Sequence, residues 1–110
     1  MQENKEIREI FLQCSQLGSI YATQQWLQSK NKNMTRSELI QLLQDSTLRE
    51  NTVIGSTFDL VQQIIKMEES LELALRREKK KGSSWKEAIF NLHIGPGPEY
   101  GRLKRFFENI

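Results

Sequence analysis

The stretch from Ser56 to Gly82 constrains the fold of this 110-residue chain more than any other stretch. Ser56 is of a type favoured at helix N-caps, and the cations before Gly82 suit the negative end of a helix dipole and a left-handed stop. The pattern therefore predicts one helix from about 57 to about 81. Its apolar residues alternate spacings of four and three, as in a helix that buries one narrow stripe against other helices: Leu60, Ile64, Met67, Leu71 and Ala74.

The residues before the long helix predict three short helices. Apolar residues at helical spacing place the first over about 4 to 17, and the second begins at Ser19 or Thr23. Thr35 opens a capping box, a hydroxyl at the N-cap with a carboxylate three residues on, so a third helix starts there. Three β-branched residues that follow favour an extended linker over a strand, because no partner strand is evident: Thr52, Val53 and Ile54.

Two further helices are predicted after the long one. Ser84 opens a second capping box and so starts a fifth helix. The run from Gly95 to Pro98 ends that helix, because proline lacks an N–H donor and the glycine backbone has too much conformational freedom. Pro98 suits the first position of a sixth helix. The expected fold is all-α: a single small helical domain, residues 1–110, with five to six helices around one long central helix.

Composition bears on location. No apolar run approaches the ~20 residues that span a bilayer, and the N-terminus lacks the basic and apolar regions of a secretory signal. Cys14 is the single cysteine, so an internal disulfide cannot form and a reducing cytoplasm fits. Cys14 also lies on the apolar stripe of the first helix, where a thiol acts as a small hydrophobe. The expectation is a cytoplasmic protein without a membrane partner.

The chain offers no catalytic constellation. With one histidine, His93, and one cysteine, it predicts no metal centre and no cofactor. Glu68 and Glu69 are adjacent on a helix and point about 100° apart, so they do not converge on one substrate. The Gly95–Pro98 run cannot cradle a phosphate, because two of its four residues lack the N–H donor that such a loop needs.

Charge is the feature that suggests a function. The net charge is only +2, but residues 76–105 hold nine basic and three acidic side chains, a local +6 that leaves −4 for the rest. Such a segment attracts phosphates. The leading hypothesis is a small nucleic-acid-binding accessory or regulatory protein, dimeric, with phosphate contacts from its C-terminal third: Lys79, Lys80, Lys81, Lys86, Arg102, Lys104 and Arg105.

The sequence offers a second candidate surface for nucleic acid. The second helix, the loop from Lys30 to Met34 and the third helix follow one another like a helix-turn-helix, although the loop is longer than the usual turn. The third helix would then present side chains able to reach base edges or phosphates: Arg36, Ser37, Gln41 and Gln44.

The long helix raises the question of self-association. Its central apolar residues could pair with a second copy or pack on this chain's own short helices, and the sequence leaves both open: Leu60, Ile64, Met67 and Leu71. The alternative function is a protein-interaction module without nucleic-acid binding. As an adaptor, inhibitor or small subunit, it would meet an acidic protein partner with its apolar and basic surfaces.

Overall fold

The computed structural model describes residues 2–51 and 54–110, and within these ranges it contains helices and no strand. The all-α prediction with one long helix is confirmed. Thr52 and Val53, two members of the predicted linker, lie outside the described residues. In chain order the helices are α1 (Gln2–Leu17), α2 (Ile20–Ser29), α3 (Arg36–Leu43), a 3₁₀ helix (Ser46–Glu50), α4 (Gly55–Lys80), α5 (Trp85–Leu92) and α6 (Tyr100–Asn109).

Hydroxyl caps start three of these helices where the sequence predicted them. Ser19 accepts a hydrogen bond from the backbone N–H of Ala22 at 3.0 Å, so the alternative start at Thr23 is wrong. Thr35 and Ser84 each form a complete capping box with the glutamate three residues on. These local signals succeed because a cap satisfies backbone donors within its own turn and depends on no distant contact.

The ends of α4 and α6 differ partly from expectation. Helix α4 begins at Gly55, so Ser56 lies inside it and is not its N-cap. Its far end is as predicted, with Gly82 at a φ of +84° after the last helical residue. Helix α6 begins at Tyr100 with Glu99 at the N-cap, so Pro98 precedes the helix and does not open it.

The chain divides into two compact units, residues 1–66 and 67–110, and α4 contributes its first part to one and its remainder to the other. The prediction of a single domain stays a prediction. Each unit contains one of the two tryptophans, Trp26 in the first and Trp85 in the second. Fluorescence can therefore follow each unit separately once the other tryptophan is replaced.

The first unit has a core built by α1, α2, α3 and the start of α4. Phe11 is fully buried and its ring stacks on that of Phe58, with centroids 5.8 Å apart. Cys14 is fully buried among apolar side chains, as predicted for a thiol that acts as a small hydrophobe. The buried members are Ile10, Phe11, Cys14, Ile20, Leu27, Leu39, Leu43, Ile54, Phe58, Val61 and Ile65.

The second unit has a smaller core centred on the Trp85 ring. This ring makes an edge contact with Tyr100 at 5.5 Å and a tilted one with Phe107 at 5.7 Å, and its N–H donates to the Tyr100 hydroxyl at 3.2 Å. Aromatic pairs in such geometries add to the burial of apolar area. The buried members are Leu75, Ala88, Leu103 and Phe107.

The buried stripe of α4 is not the one that the sequence predicted. Leu60 and Met67 are 46% and 67% exposed, so they are not buried against this chain's own helices, which was one of the two arrangements that the sequence left open. Ile64 and Leu71 are half-buried, each against the core of its own unit. The stripe that is buried includes two glutamates, which an apolar pattern cannot detect: Phe58, Val61, Ile65, Glu68, Leu75 and Glu78.

The Ser84 capping box gives a direct stability prediction. Replacing Ser84 by alanine removes the acceptor for the Glu87 N–H, a bond of 3.1 Å. We expect the free energy of unfolding of the second unit to fall by about 1 kcal/mol, as lost N-caps typically cause. Urea unfolding followed by Trp85 fluorescence in a Trp26→Phe background measures it. An unchanged midpoint would contradict the role of this cap.

Candidate basic groove of the second unit

Arg102, one of the seven predicted phosphate-binding residues, is engaged by carboxylates. Its side chain is 12% exposed and donates from Nη1 to Glu72 at 2.7 Å and from Nε to Glu99, while Nη2 lies 3.8 Å from Glu68. Burial lowers the pKa of Arg102, but the hydrogen bonds to Glu99 and Glu72 outweigh it and leave the pKa raised. Its charge is therefore balanced inside the unit.

Lys79 also uses its ammonium group within the unit. Nζ donates to the backbone carbonyl of Phe107 at 2.9 Å and lies 4.6 Å from the centre of that ring. Carbonyls in the last turn of a helix lack helical partners, so this cation caps α6 from a neighbouring helix.

Lys81 belongs to a buried hydrogen-bond cluster around Glu78. The Glu78 carboxylate accepts from Asn91 at 2.9 Å, from Lys81 at 2.9 Å and from Ser83 at 3.0 Å. These donors lower the pKa of Glu78 to about 2, with the Asn91 bond as the largest cause. The cluster ties the end of α4 to α5.

The Glu78 cluster predicts an acid-dependent loss of stability in the second unit. Because the folded pKa of Glu78 lies below its ordinary value of 4.5, its stabilising effect is full above that value and is lost as pH falls toward about 2. We expect Glu78→Gln to be destabilised at neutral pH and to approach the parent as pH falls through this window. Thermal unfolding across a pH series, followed at Trp85, tests this; a difference that stays constant with pH would contradict it.

The other predicted cations point to solvent: Lys80, Lys86, Lys104 and Arg105 are exposed. Lys80 lies on a solvent-exposed face of α4 together with Leu73, Arg76 and Arg77, residues at the i, i+3, i+4 and i+7 positions of one helix face. The structure thus shows partners within the unit for Lys79, Lys81 and Arg102, which the sequence did not identify.

A groove of about 550 Å³ lies along this face, entirely within the second unit. Leu73 and Ile110 provide apolar surface, and four cations line the rest: Arg76, Arg77, Lys79 and Lys80. The guanidinium of Arg76 lies 5.2 Å from the centre of the Phe106 ring, which holds it by a cation–π contact. We call this site, defined by Leu73, Arg76, Arg77, Lys79, Lys80 and Ile110, the basic groove.

Four groove residues were missing from the predicted site: Leu73, Arg76, Arg77 and Ile110. The i, i+3, i+4, i+7 spacing from Leu73 to Lys80 was a usable signal, since it marks one helix face. Ile110 gave no signal, because only the packing of α6 beside α4 brings it near. Three contacts show that packing: Arg102 pairs with Glu72, the Arg76 guanidinium lies over the Phe106 ring, and Lys79 donates to the Phe107 carbonyl.

The second predicted surface is only partly on one exposed face. On α3, Ser37 and Gln41 are exposed, as is Gln44 at its C-cap, whereas Arg36 is half-buried. The loop before α3 is held by the Gln24 side-chain amide, which donates to the Met34 carbonyl at 3.0 Å. A role for these side chains in reading bases stays a prediction.

Self-association through α4 also stays a prediction, and the structure improves its test. Met67 is 67% exposed, so a lysine there removes apolar surface from the predicted seam without entering either core. We expect Met67→Lys to sediment as a monomer at concentrations where the parent is a dimer, with unchanged helical circular dichroism. A parent that is monomeric, or a variant that dimerises equally, would contradict association through this residue.

The described residues contain neither a metal site nor a membrane-spanning helix. Across 2–51 and 54–110, no group of three His, Cys, Asp or Glu side chains could hold a metal ion. None of the helices described there combines the length and apolar character needed to cross a bilayer. Comparison of the chain with family models, curated proteins and solved structures gave no match.

Proposed function

We propose that this chain is a helical protein-interaction module, an adaptor or small subunit that binds an acidic protein partner through the basic groove. One observation carries the proposal: the groove combines apolar side chains of Leu73 and Ile110 with four cationic side chains, and no Asp or Glu is among its lining residues. Protein partners use apolar anchors together with charge complementarity, so such a surface suits them.

The engagement of three predicted cations favours this function over nucleic-acid binding. Arg102 faces carboxylates, Lys79 caps α6 and Lys81 joins the Glu78 cluster, so fewer charges remain for a phosphate backbone. The electrostatic affinity for a duplex depends on the number of phosphates neutralised, and an exposed leucine beside the cations adds no phosphate contact.

The test is capture of partners from native extract, with and without nuclease. We expect a partner protein that is retained after nuclease treatment and is lost with Arg77→Gln/Lys80→Gln, because these side chains line the groove. The double variant Lys86→Gln/Lys104→Gln removes the same charge from exposed positions outside the groove and should retain the partner. Loss of all partners on nuclease treatment would contradict the proposal.

Nucleic-acid binding is the second candidate, favoured by the exposure of Lys80, Lys86, Lys104 and Arg105. A protein that binds duplex phosphates through this whole surface should lose affinity with salt at a log–log slope of about −0.9 per phosphate. Either double variant should then reduce the slope by about two phosphate equivalents. Anisotropy titrations of a duplex oligonucleotide over a salt series therefore test this candidate, since a protein-interaction module should show no salt-sensitive duplex binding that both double variants weaken.

A further inference from the structure

We infer that the basic groove docks an acidic peptide segment in which one apolar side chain is flanked by carboxylates. This inference rests on the proposed function and names the partner's chemistry. The apolar side chain would lie on Leu73 and Ile110, and the carboxylates would meet the cations around them.

The apolar part of the groove is an uncovered anchor site. Leu73 is 56% exposed, although it lies on a helix whose other faces pack in the second core. It is flanked on its own helix face by Arg76 and Arg77 one turn on, and by Lys80 two turns on. An apolar side chain placed there by a partner would remove Leu73 from water and be surrounded by cations, which excludes a partner that lacks acidic neighbours.

One cation of the groove, Arg76, is set in position before a partner arrives. The guanidinium of Arg76 lies over the Phe106 ring. The carboxylate of Glu72, one helical turn before Arg76, already accepts a hydrogen bond from Arg102. The N–H groups at the edge of a stacked guanidinium remain available for a carboxylate in a bidentate pair. A side chain that is already ordered loses less entropy on binding, so Arg76 suits a specific contact.

Two neighbours of Arg76 supply exposed positive charge. Arg77 and Lys80 are exposed and form no ion pair with another residue among 2–51 and 54–110. Lys79 is different, because its ammonium is committed to the Phe107 carbonyl. The segment that fits therefore needs carboxylates on the side of Arg76, Arg77 and Lys80, and the charge complementarity fixes its orientation across the groove.

Selection of short random peptides displayed on phage, against the immobilised full chain, tests the inference without a known partner. We expect enrichment of peptides rich in Asp and Glu around a Leu, Ile, Phe, Met or Trp. Their affinity should fall about tenfold or more with Leu73→Ala and with Arg77→Gln/Lys80→Gln, as for anchor residues at interfaces. Lys86→Gln/Lys104→Gln should leave it unchanged. Leu73 is exposed and alanine is the best helix former, so the folded state survives the change.

The outcomes separate this inference from the proposed function. Selected peptides that are not acidic, or that bind equally to the Leu73 and Arg77/Lys80 variants, would overturn the inference and leave a protein-interaction module acting elsewhere. A selection without binders, together with salt-sensitive binding of a duplex oligonucleotide that both double variants weaken, would overturn both.

Discussion

Arg102→Gln is expected to destabilise the second unit by about 3 kcal/mol, because removing one member of a buried ion network leaves the others unpaired. The guanidinium of Arg102 serves three carboxylates, those of Glu68, Glu72 and Glu99. Glutamine cannot replace the charge or the forked donors. We choose the lower end of the usual range because Glu72 remains 26% exposed and keeps some hydration.

Urea unfolding followed by Trp85 fluorescence in a Trp26→Phe background measures this loss. Lys104→Gln is the control, since it removes a cation from an exposed position on the same helix and should change stability little. Stability of Arg102→Gln equal to that of the control would mean that the network contributes nothing. The result also decides whether Arg102 is available for phosphates, as the sequence suggested.

Phe11→Ala should have the largest effect in the first unit, about 3–5 kcal/mol. The ring of Phe11 is fully buried and stacks on Phe58, so its removal loses apolar burial and leaves a cavity that the helices fill only in part. Leu12→Ala is the control: Leu12 is the next residue of α1 but is 47% exposed.

Trp26 fluorescence in a Trp85→Phe background reports the first unit alone in this comparison. A Phe11→Ala loss no greater than that of Leu12→Ala would contradict the assigned core. A parallel measurement at Trp85 shows whether damage in the first unit reaches the second.

The fold was predictable where the determinants are local. Ser19, Thr35 and Ser84 start helices because each hydroxyl satisfies a donor in its own first turn. Gly82 ends α4 because its left-handed φ of +84° suits glycine. The start of α4 was less predictable, because Gly55 is a weak helix former that the surrounding structure nevertheless includes in the helix.

The buried face of α4 was not predictable from apolar spacing. Glu68 and Glu78 occupy buried positions beside polar partners: Nη2 of Arg102 lies 3.8 Å from the Glu68 carboxylate, and the Asn91 amide donates a hydrogen bond to Glu78. A pattern that accepts only apolar residues skips both and selects Leu60 and Met67, which are exposed. Buried charges become acceptable only through such partners, and the partners lie far away in sequence.

The candidate site shows the same limit. The sequence shows a basic segment but does not tell a cation that pairs with carboxylates of its own unit from one that faces solvent. Arg102 differs from Lys80 through its tertiary contact with Glu72, besides a local contact with Glu99 three residues before it. The apolar surface of Leu73 and Ile110 likewise required the two helices to be placed side by side.

Titration of the isotope-labelled full chain with a selected acidic peptide, followed by amide chemical shifts, tests whether the basic groove is the binding site. We expect shifts that cluster at Leu73–Lys80 and at Ile110, with α3 unaffected. The Arg77→Gln/Lys80→Gln variant should show the same spectrum without the shifts. Shifts confined to α3, or shifts that persist in the variant, would contradict the assignment of the basic groove as the binding site.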